Sequence, residues 1–254
     1  MSFLELFKHP SLIGAHRGSI STRPENTLSA LENSIGFCDF IEIDVQLSSD
    51  GIAVIMHDET LKRTSNIKEI QAFKDRVPYK LSDFTYAELA TLDYGSWFYQ
   101  DEKKPEPLLT LKKTLEFVKE NKVFINIEIK DLHDSFSDKQ VLSTLLKEIN
   151  DSKTKEFILL SSFRHEYMVL SKEMQPNIPT AALVYKEHPA SLIEYLKSIK
   201  VDAYHFNNKL VNKLTVKYLR EAGFFVNIYT VNNLKRRQQL FDMGVNGIFT
   251  DFLE

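Results

Sequence analysis

Short β-branched and aromatic runs recur along the chain, and between them apolar residues return every three or four positions. The runs fall at 12–14, 40–47, 123–129, 157–161, 180–185, 203–206, 225–230 and 247–250. The helical stretches fall at 26–35, 111–120, 138–149, 165–174, 190–199, 212–222 and 233–243. Strands that alternate with helices need crossovers, and crossovers give a mainly parallel sheet. Eight strands and seven helices in 254 residues match the size and rhythm of an α/β fold of the (β/α)8 TIM-barrel kind. An open, doubly wound sheet is the competing arrangement. A further run, 52–56, follows the turn at Ser49, Asp50 and Gly51. It reads as the return limb of a hairpin with the second strand and need not join the main sheet.

The stretch 59–109, between the second strand and its helix, is too long for a simple connection and carries its own helical start at 82–92. It reads as a small insertion after the second strand, a cap on a single domain spanning 1–254. Tyr94, Trp97, Phe98 and Tyr99 either form the insertion's own core or line a pocket. No repeat and no Ser/Gly-rich linker divides the chain.

With 32 Lys and Arg against 35 Asp and Glu, the formal charge is −3, and the pI is near 6.2. Neither value fits nucleic acid or an anionic membrane as the main partner. Cys38 is the sole cysteine, so neither an internal disulfide nor a Cys-based zinc site within one chain can form. Glu5, Lys8, His9 and Pro10 interrupt the apolar residues at the start, unlike the core of a secretory signal. No window approaches the roughly 20 apolar residues of a membrane span. The expectation is a cytoplasmic protein without stable membrane insertion.

Chemistry gathers at strand ends, which in a barrel face the active site. His16 and Arg17 follow the first strand, and Glu25 and Asn26 precede a helix, where such side chains also serve as N-terminal caps. In the second strand, period-two geometry puts Glu42 and Asp44 on one face and Ile41, Ile43 and Val45 on the other. Two converging carboxylates repel unless a hard cation joins them; the other reading is the outward charged face of an edge strand. His57 and Asp58 end the 52–56 run. Glu128 and Lys130 share a face after Asn126 and Ile127, as a metal ligand beside an anion-binding cation or as an interior salt bridge. Together, three carboxylates, two histidines and two cations describe a metal-assisted site for a phosphorylated substrate.

These residues resemble the glycerophosphodiester phosphodiesterase family. The likeness is carried by His16-Arg17-Gly18, Pro24-Glu25-Asn26-Thr27, Glu42 with Asp44, Asp50-Gly51 and His57-Asp58. It continues through Leu61, Arg63 and Thr64, then Glu128 with Lys130, Ser161-Ser162-Phe163, Tyr229 to Asn232, and Gly244 to Asp251. The resemblance implies a TIM barrel that hydrolyses glycerophosphodiesters, such as glycerophosphocholine or glycerophosphoethanolamine, to sn-glycerol 3-phosphate and an alcohol. It implies one divalent cation, Ca²⁺ or Mg²⁺ with Mn²⁺ also fitting, held by Glu42, Asp44 and Glu128. His16 and His57 take the positions of general acid and base, and Arg17 and Lys130 lie by the phosphate. Glu25, Asn26 and Tyr229 support the site, with Tyr229 standing where Trp is frequent. The implied attacker is the glycerol 2-hydroxyl, giving a cyclic phosphate that water opens. Two rival readings stay open: a lysophospholipid substrate, and a barrel that binds phosphodiesters without catalysis. The oligomeric state is left open too.

Overall fold

The computed structural model describes residues 1–99 and 102–253. Gln100 and Asp101, which fall in the 59–109 segment, and Glu254 lie outside the described residues. Eight parallel strands close on themselves: β1 (Leu12–Ala15), β2 (Phe40–Leu47), β4 (Ile125–Ile129), β5 (Ile158–Ser162), β6 (Thr180–Val184), β7 (Ala203–Asn207), β8 (Phe225–Tyr229) and β9 (Gly247–Thr250). Pairing of β1 with both β2 and β9 completes the ring, so the open doubly wound sheet is excluded. The run at 52–56 does join the sheet. As β3 (Ala53–Ile55) it pairs antiparallel with β2, Val45 opposite Ile55 and Leu47 opposite Ala53.

Alternation along each strand divides the interior in two. Ile41, Ile43 and Val45 of β2 and Ile125, Ile127 and Ile129 of β4 face outward. They pack against α4 (Leu111–Asn121) and α5 (Asp138–Ser152), and the ring continues through α6 (His165–Met174), α7 (Leu192–Ser198), α8 (Lys213–Glu221) and α9 (Leu234–Asp242). Inside the barrel, Leu12, Phe40, Phe124, Leu159, Ala181, Ala203 and Phe249 form a second cluster around Phe3, Leu6 and Phe7. Phe3 and Leu6 lie on a short helix, α1 (Phe3–Leu6), fixed by a Ser2/Glu5 capping box, and Phe7 is its C-cap. The Phe3 ring sits 5.8 Å from Phe40 and 5.5 Å from Phe124, and Phe7 sits 5.1 Å from Phe225. These partners begin or precede their strands, so α1 closes the N-terminal mouth of the barrel. The C-terminal mouth is left for chemistry.

The 59–109 segment is built on a third cluster, in which Leu61, Ile67, Leu81, Phe84, Leu89 and Tyr94 pack against Val54 and Met56 of the β3 arm. At 82–92 the helical content is smaller than the pattern predicts: a 3₁₀ turn (Leu81–Asp83) and α3 (Tyr86–Leu89). Phe84 separates them. It is extended and fully buried, and Thr85 then starts α3 with a Thr85/Glu88 capping box. The first crossover is likewise shorter than 26–35, since α2 spans Leu28–Glu32 with Thr27 as N-cap. Among the described residues no helix is long and apolar enough to cross a membrane.

Candidate active site

The register of β2 and β4 aligns Glu42 with Asn126 and Asp44 with Glu128, so all four side chains turn into the barrel. Carboxylate oxygens of Glu42, Asp44 and Glu128 come within 4.8 Å of one another. Glu42 and Asp44 are buried at 3% and 1% exposure, which excludes the edge-strand reading. Burial, reinforced by the charges of Asp44 and Glu128, pushes the Glu42 carboxyl well above the ordinary range. Burial works in the same direction on Asp44 but is outweighed. Lys130, Arg17 and His57 nearby, with a hydrogen bond from Asn26, hold that carboxyl low.

Arg17 and Lys130 bracket the triad. The Arg17 backbone N–H donates to Glu42 Oε2 at 2.9 Å, and its guanidinium Nε lies 3.3 Å from Asp44 Oδ2. Its Nη1 donates to Glu25 Oε1 at 2.9 Å. The Lys130 ammonium donates to Glu128 Oε1 at 2.6 Å and to Asp44 Oδ1 at 3.3 Å. Desolvation lowers its proton affinity, yet these carboxylates raise it further, so it stays charged.

Glu25 and Asn26 do not cap a helix. Asn26 takes a left-handed backbone (φ 58°) that directs its amide into the barrel, where Nδ2 donates to Asp44 Oδ2 at 2.9 Å. Glu25 lies between Arg17 and Arg63. The capping role belongs to Thr27.

Each histidine is backed by a carboxylate. His16 Nδ1 lies 2.7 Å from Asp251 Oδ1, and His57 Nδ1 lies 2.7 Å from Asp58 Oδ1. An ionised carboxylate only accepts, so Nδ1 carries the proton in both rings and Nε2 is the nitrogen left to exchange one. Both carboxylates are ionised. Asp58 is held down to about 2 by its hydrogen bonds from Arg63 and His57. Asp251 is lowered, against its burial, by His16, Asn232 and the charge of Arg17. Neither Asp58 nor Asp251 has a role in the sequence reading, although both fall in its motifs. The signal that finds them is chemical: an imidazole oriented for proton transfer needs an acceptor on its far nitrogen.

Tyr229 stands at the end of β8 beside Glu128, whose charge, after burial, raises the phenol's proton affinity. Its hydroxyl donates to the Val184 carbonyl at 2.5 Å, so it offers the mouth a ring rather than a donor, edge to Phe163 at 6.1 Å. Of the insertion's aromatics, Tyr94 belongs to the local core. Trp97, Phe98 and Tyr99 are half-buried, and the Trp97 ring lies 6.0 Å from the Arg63 guanidinium.

A divalent cation fits the triad on the evidence of its donors. Glu42 Oε1 is buried without a hydrogen-bond partner among the described residues. Six carboxylates (Glu25, Glu42, Asp44, Asp58, Glu128 and Asp251) face three permanent cations (Arg17, Arg63 and Lys130). Three hard oxygen donors that converge with excess negative charge suit Ca²⁺ or Mg²⁺.

The model of the glycerophosphoryl diester phosphodiesterase family matches residues 16–254. The chain belongs to that family. Membership places it among the phosphoric diester hydrolases, and the relatives agree. A glycerophosphodiester phosphodiesterase of Bacillus altitudinis is 34% identical over 245 residues, covering 94% of each chain. One from Bacillus subtilis strain 168 is 31% identical over 252 residues, 94% of this chain and 82% of the relative. An Oleispira antarctica phosphodiesterase, solved with the product sn-glycerol 3-phosphate, superposes with a TM-score of 0.86. It is 26% identical and covers 97% of this chain and 95% of its own.

Proposed function

We propose that this chain hydrolyses glycerophosphodiesters to sn-glycerol 3-phosphate and an alcohol, with one divalent cation at Glu42, Asp44 and Glu128 and with His16 and His57 moving the protons. One observation carries the reading: an acidic triad bracketed by Arg17 and Lys130 in a barrel whose mouth also holds two carboxylate-backed imidazoles. A site that only bound phosphodiesters would not need paired proton-transfer groups.

A phosphodiester is anionic and repels its attacker, so charge on the non-bridging oxygens must be neutralised as the new bond forms. Arg17 and Lys130 are the fixed cations for that task. The bound cation would add Lewis-acid polarisation of a phosphoryl oxygen. Nε2 of one histidine accepts the proton of the attacking glycerol 2-hydroxyl and Nε2 of the other gives a proton to the departing alkoxide, leaving a cyclic phosphate; water then opens the ring with the two proton transfers reversed, giving glycerol 3-phosphate. Asp58 and Asp251 keep the rings turned and stabilise each imidazolium as it appears. Asn26 holds Asp44 in place, and Tyr229 supplies an apolar wall for the substrate. The 59–109 segment acts as a cap on this single domain.

The deciding experiment incubates purified protein with glycerophosphocholine and glycerophosphoethanolamine in Ca²⁺, Mg²⁺ or Mn²⁺ and measures glycerol 3-phosphate. Release that a chelator abolishes and an added cation restores is the expected outcome; no release from any diester under any cation rejects the reading. A lysophospholipid substrate has one observation in its favour. Phe163, Tyr185 and Phe252 stand exposed at 43%, 57% and 49% just beyond the ends of β5, β6 and β9, an apolar rim that an acyl chain could use. Lysophosphatidylcholine assayed beside glycerophosphocholine separates the two.

A further inference from the structure

Arg63 belongs to a motif read from the sequence, yet the chemistry above gives it no task. Its guanidinium spans two carboxylates at once. Nε donates to Asp58 Oδ2 at 2.7 Å and Nη2 to Asp58 Oδ1 at 2.8 Å. Nη1 donates to Glu25 Oε2 at 2.6 Å, and Nη2 also to Glu25 Oε1 at 2.8 Å. Each carboxylate holds another group in turn: Asp58 holds His57 Nδ1, and Glu25 holds Arg17 Nη1. A continuous chain therefore runs from His57 through Asp58, Arg63 and Glu25 to Arg17.

We propose that Arg63 is a positioning residue that fixes His57 and Arg17 together, so that one guanidinium from the inserted segment prepares both proton transfer and phosphate neutralisation. The inference rests on the phosphodiesterase reading of the site. Geometry favours arginine over lysine here. Four hydrogen bonds to two carboxylates use the planar fork, which an ammonium on a flexible stem cannot reproduce. Location favours positioning over a structural role. The Arg63 side chain is 43% exposed, so its truncation opens no cavity in the apolar core. Glu25, by contrast, is only 9% exposed. Without Arg63 it keeps Arg17 as its one cationic partner among the described residues, and Asp58 is free to turn from His57. The Trp97 ring 6.0 Å from the guanidinium ties this chain to the far part of the insertion.

The test compares Arg63→Ala and Arg63→Lys with the wild type, each as the full, cation-loaded chain on glycerophosphocholine, with the fold checked by circular dichroism. Displacing a reacting group by about 1 Å costs on the order of 10²-fold, and that loss is expected in Arg63→Ala. It should fall mainly on kcat, be only partly repaired in Arg63→Lys, and be relieved by millimolar guanidinium in Arg63→Ala but not in His57→Ala. A second readout needs no turnover. Nitrogen-15 NMR of the His57 ring, identified by its loss in His57→Ala, should show the Nδ1–H tautomer in the wild type and a mixed population in Arg63→Ala. A kcat within twofold of wild type in Arg63→Ala, an Arg63→Lys variant equal to wild type, or unchanged His57 signals in Arg63→Ala would overturn the proposal. Should the wild type hydrolyse nothing, it is the functional reading that fails, and the NMR comparison alone decides the positioning role.

Discussion

An imidazole works from one nitrogen when a carboxylate holds the other, and this chain sets up that arrangement twice. The partners come from opposite kinds of sequence distance. Asp58 is the next residue after His57, whereas Asp251 meets His16 across 235 positions, because β1 and β9 are neighbours in the closed sheet and Ala15 lies opposite Thr250. Removing either imidazole, His16→Ala or His57→Ala, is expected to lower kcat by about 10²–10⁴-fold with the fold intact. Asp251→Asn should cost less, because it leaves the ring and its working nitrogen in place while weakening orientation and imidazolium stabilisation. Steady-state kinetics on glycerophosphocholine checks both. Normal turnover in either alanine variant discards that histidine.

At the scale of elements, the two mouths of the barrel are specialised by which side chains β2 points inward along its length. Phe40 at its start joins the aromatic plug of α1, while Glu42 and Asp44 farther along form the acidic triad. Phe3→Ala should therefore separate stability from chemistry. The residue is fully buried against Phe7, Phe40 and Phe124, and large-to-small changes of this kind cost about 3–5 kcal/mol. The expected outcome is a melting temperature lower by on the order of 10 °C, with kcat near the wild-type value at a temperature where the variant is folded. Calorimetry and kinetics on the same sample test it; a large loss of kcat without a fall in melting temperature would tie α1 to the chemistry. The insertion shows the opposite dependence. Its local core is set by Val54 and Met56 of the β3 arm, so β3 anchors it to the sheet and carries His57 to the mouth.

For the whole molecule, the proposed cation site at the triad would link cation binding, protonation and stability. The Glu42 carboxyl is raised in the folded state by burial and by its acidic neighbours. Its contribution to stability is thus fully present below the unfolded value of about 4.3 and is lost as pH rises through its higher native value. A divalent cation held by the triad would take over the role of that proton. Millimolar Ca²⁺ or Mg²⁺ is therefore expected to raise the melting temperature more at pH 8 than at pH 5, where proton and cation compete. Scanning calorimetry at the two pH values checks this; a shift of equal size at both, or none at either, counts against a cation held by Glu42, Asp44 and Glu128.

The alternation of short apolar runs with helical stretches determined a mainly parallel α/β sheet of the size of a barrel, because each pattern has one way to bury its apolar face; the pairing of β1 with both β2 and β9 decided that it closes. That Glu42 and Asp44 share one face of β2 was equally legible, since they are two residues apart; that the face turns inward was decided by their burial in the closed barrel. Local sequence left helix capping open beside site support for Asn26 and Glu25 and extended the helix at 82–92 through Phe84, because capping and helical periodicity are judged from neighbours in the chain, whereas Asp44, Arg17 and Arg63 bind Glu25 and Asn26 from elsewhere and the insertion's core claims Phe84. Only the closed sheet decided that Asp251 would meet His16 and that Arg63 would join Asp58 to Glu25, since hydrogen bonds depend on distances in space and ring closure alone makes neighbours of the chain's two ends.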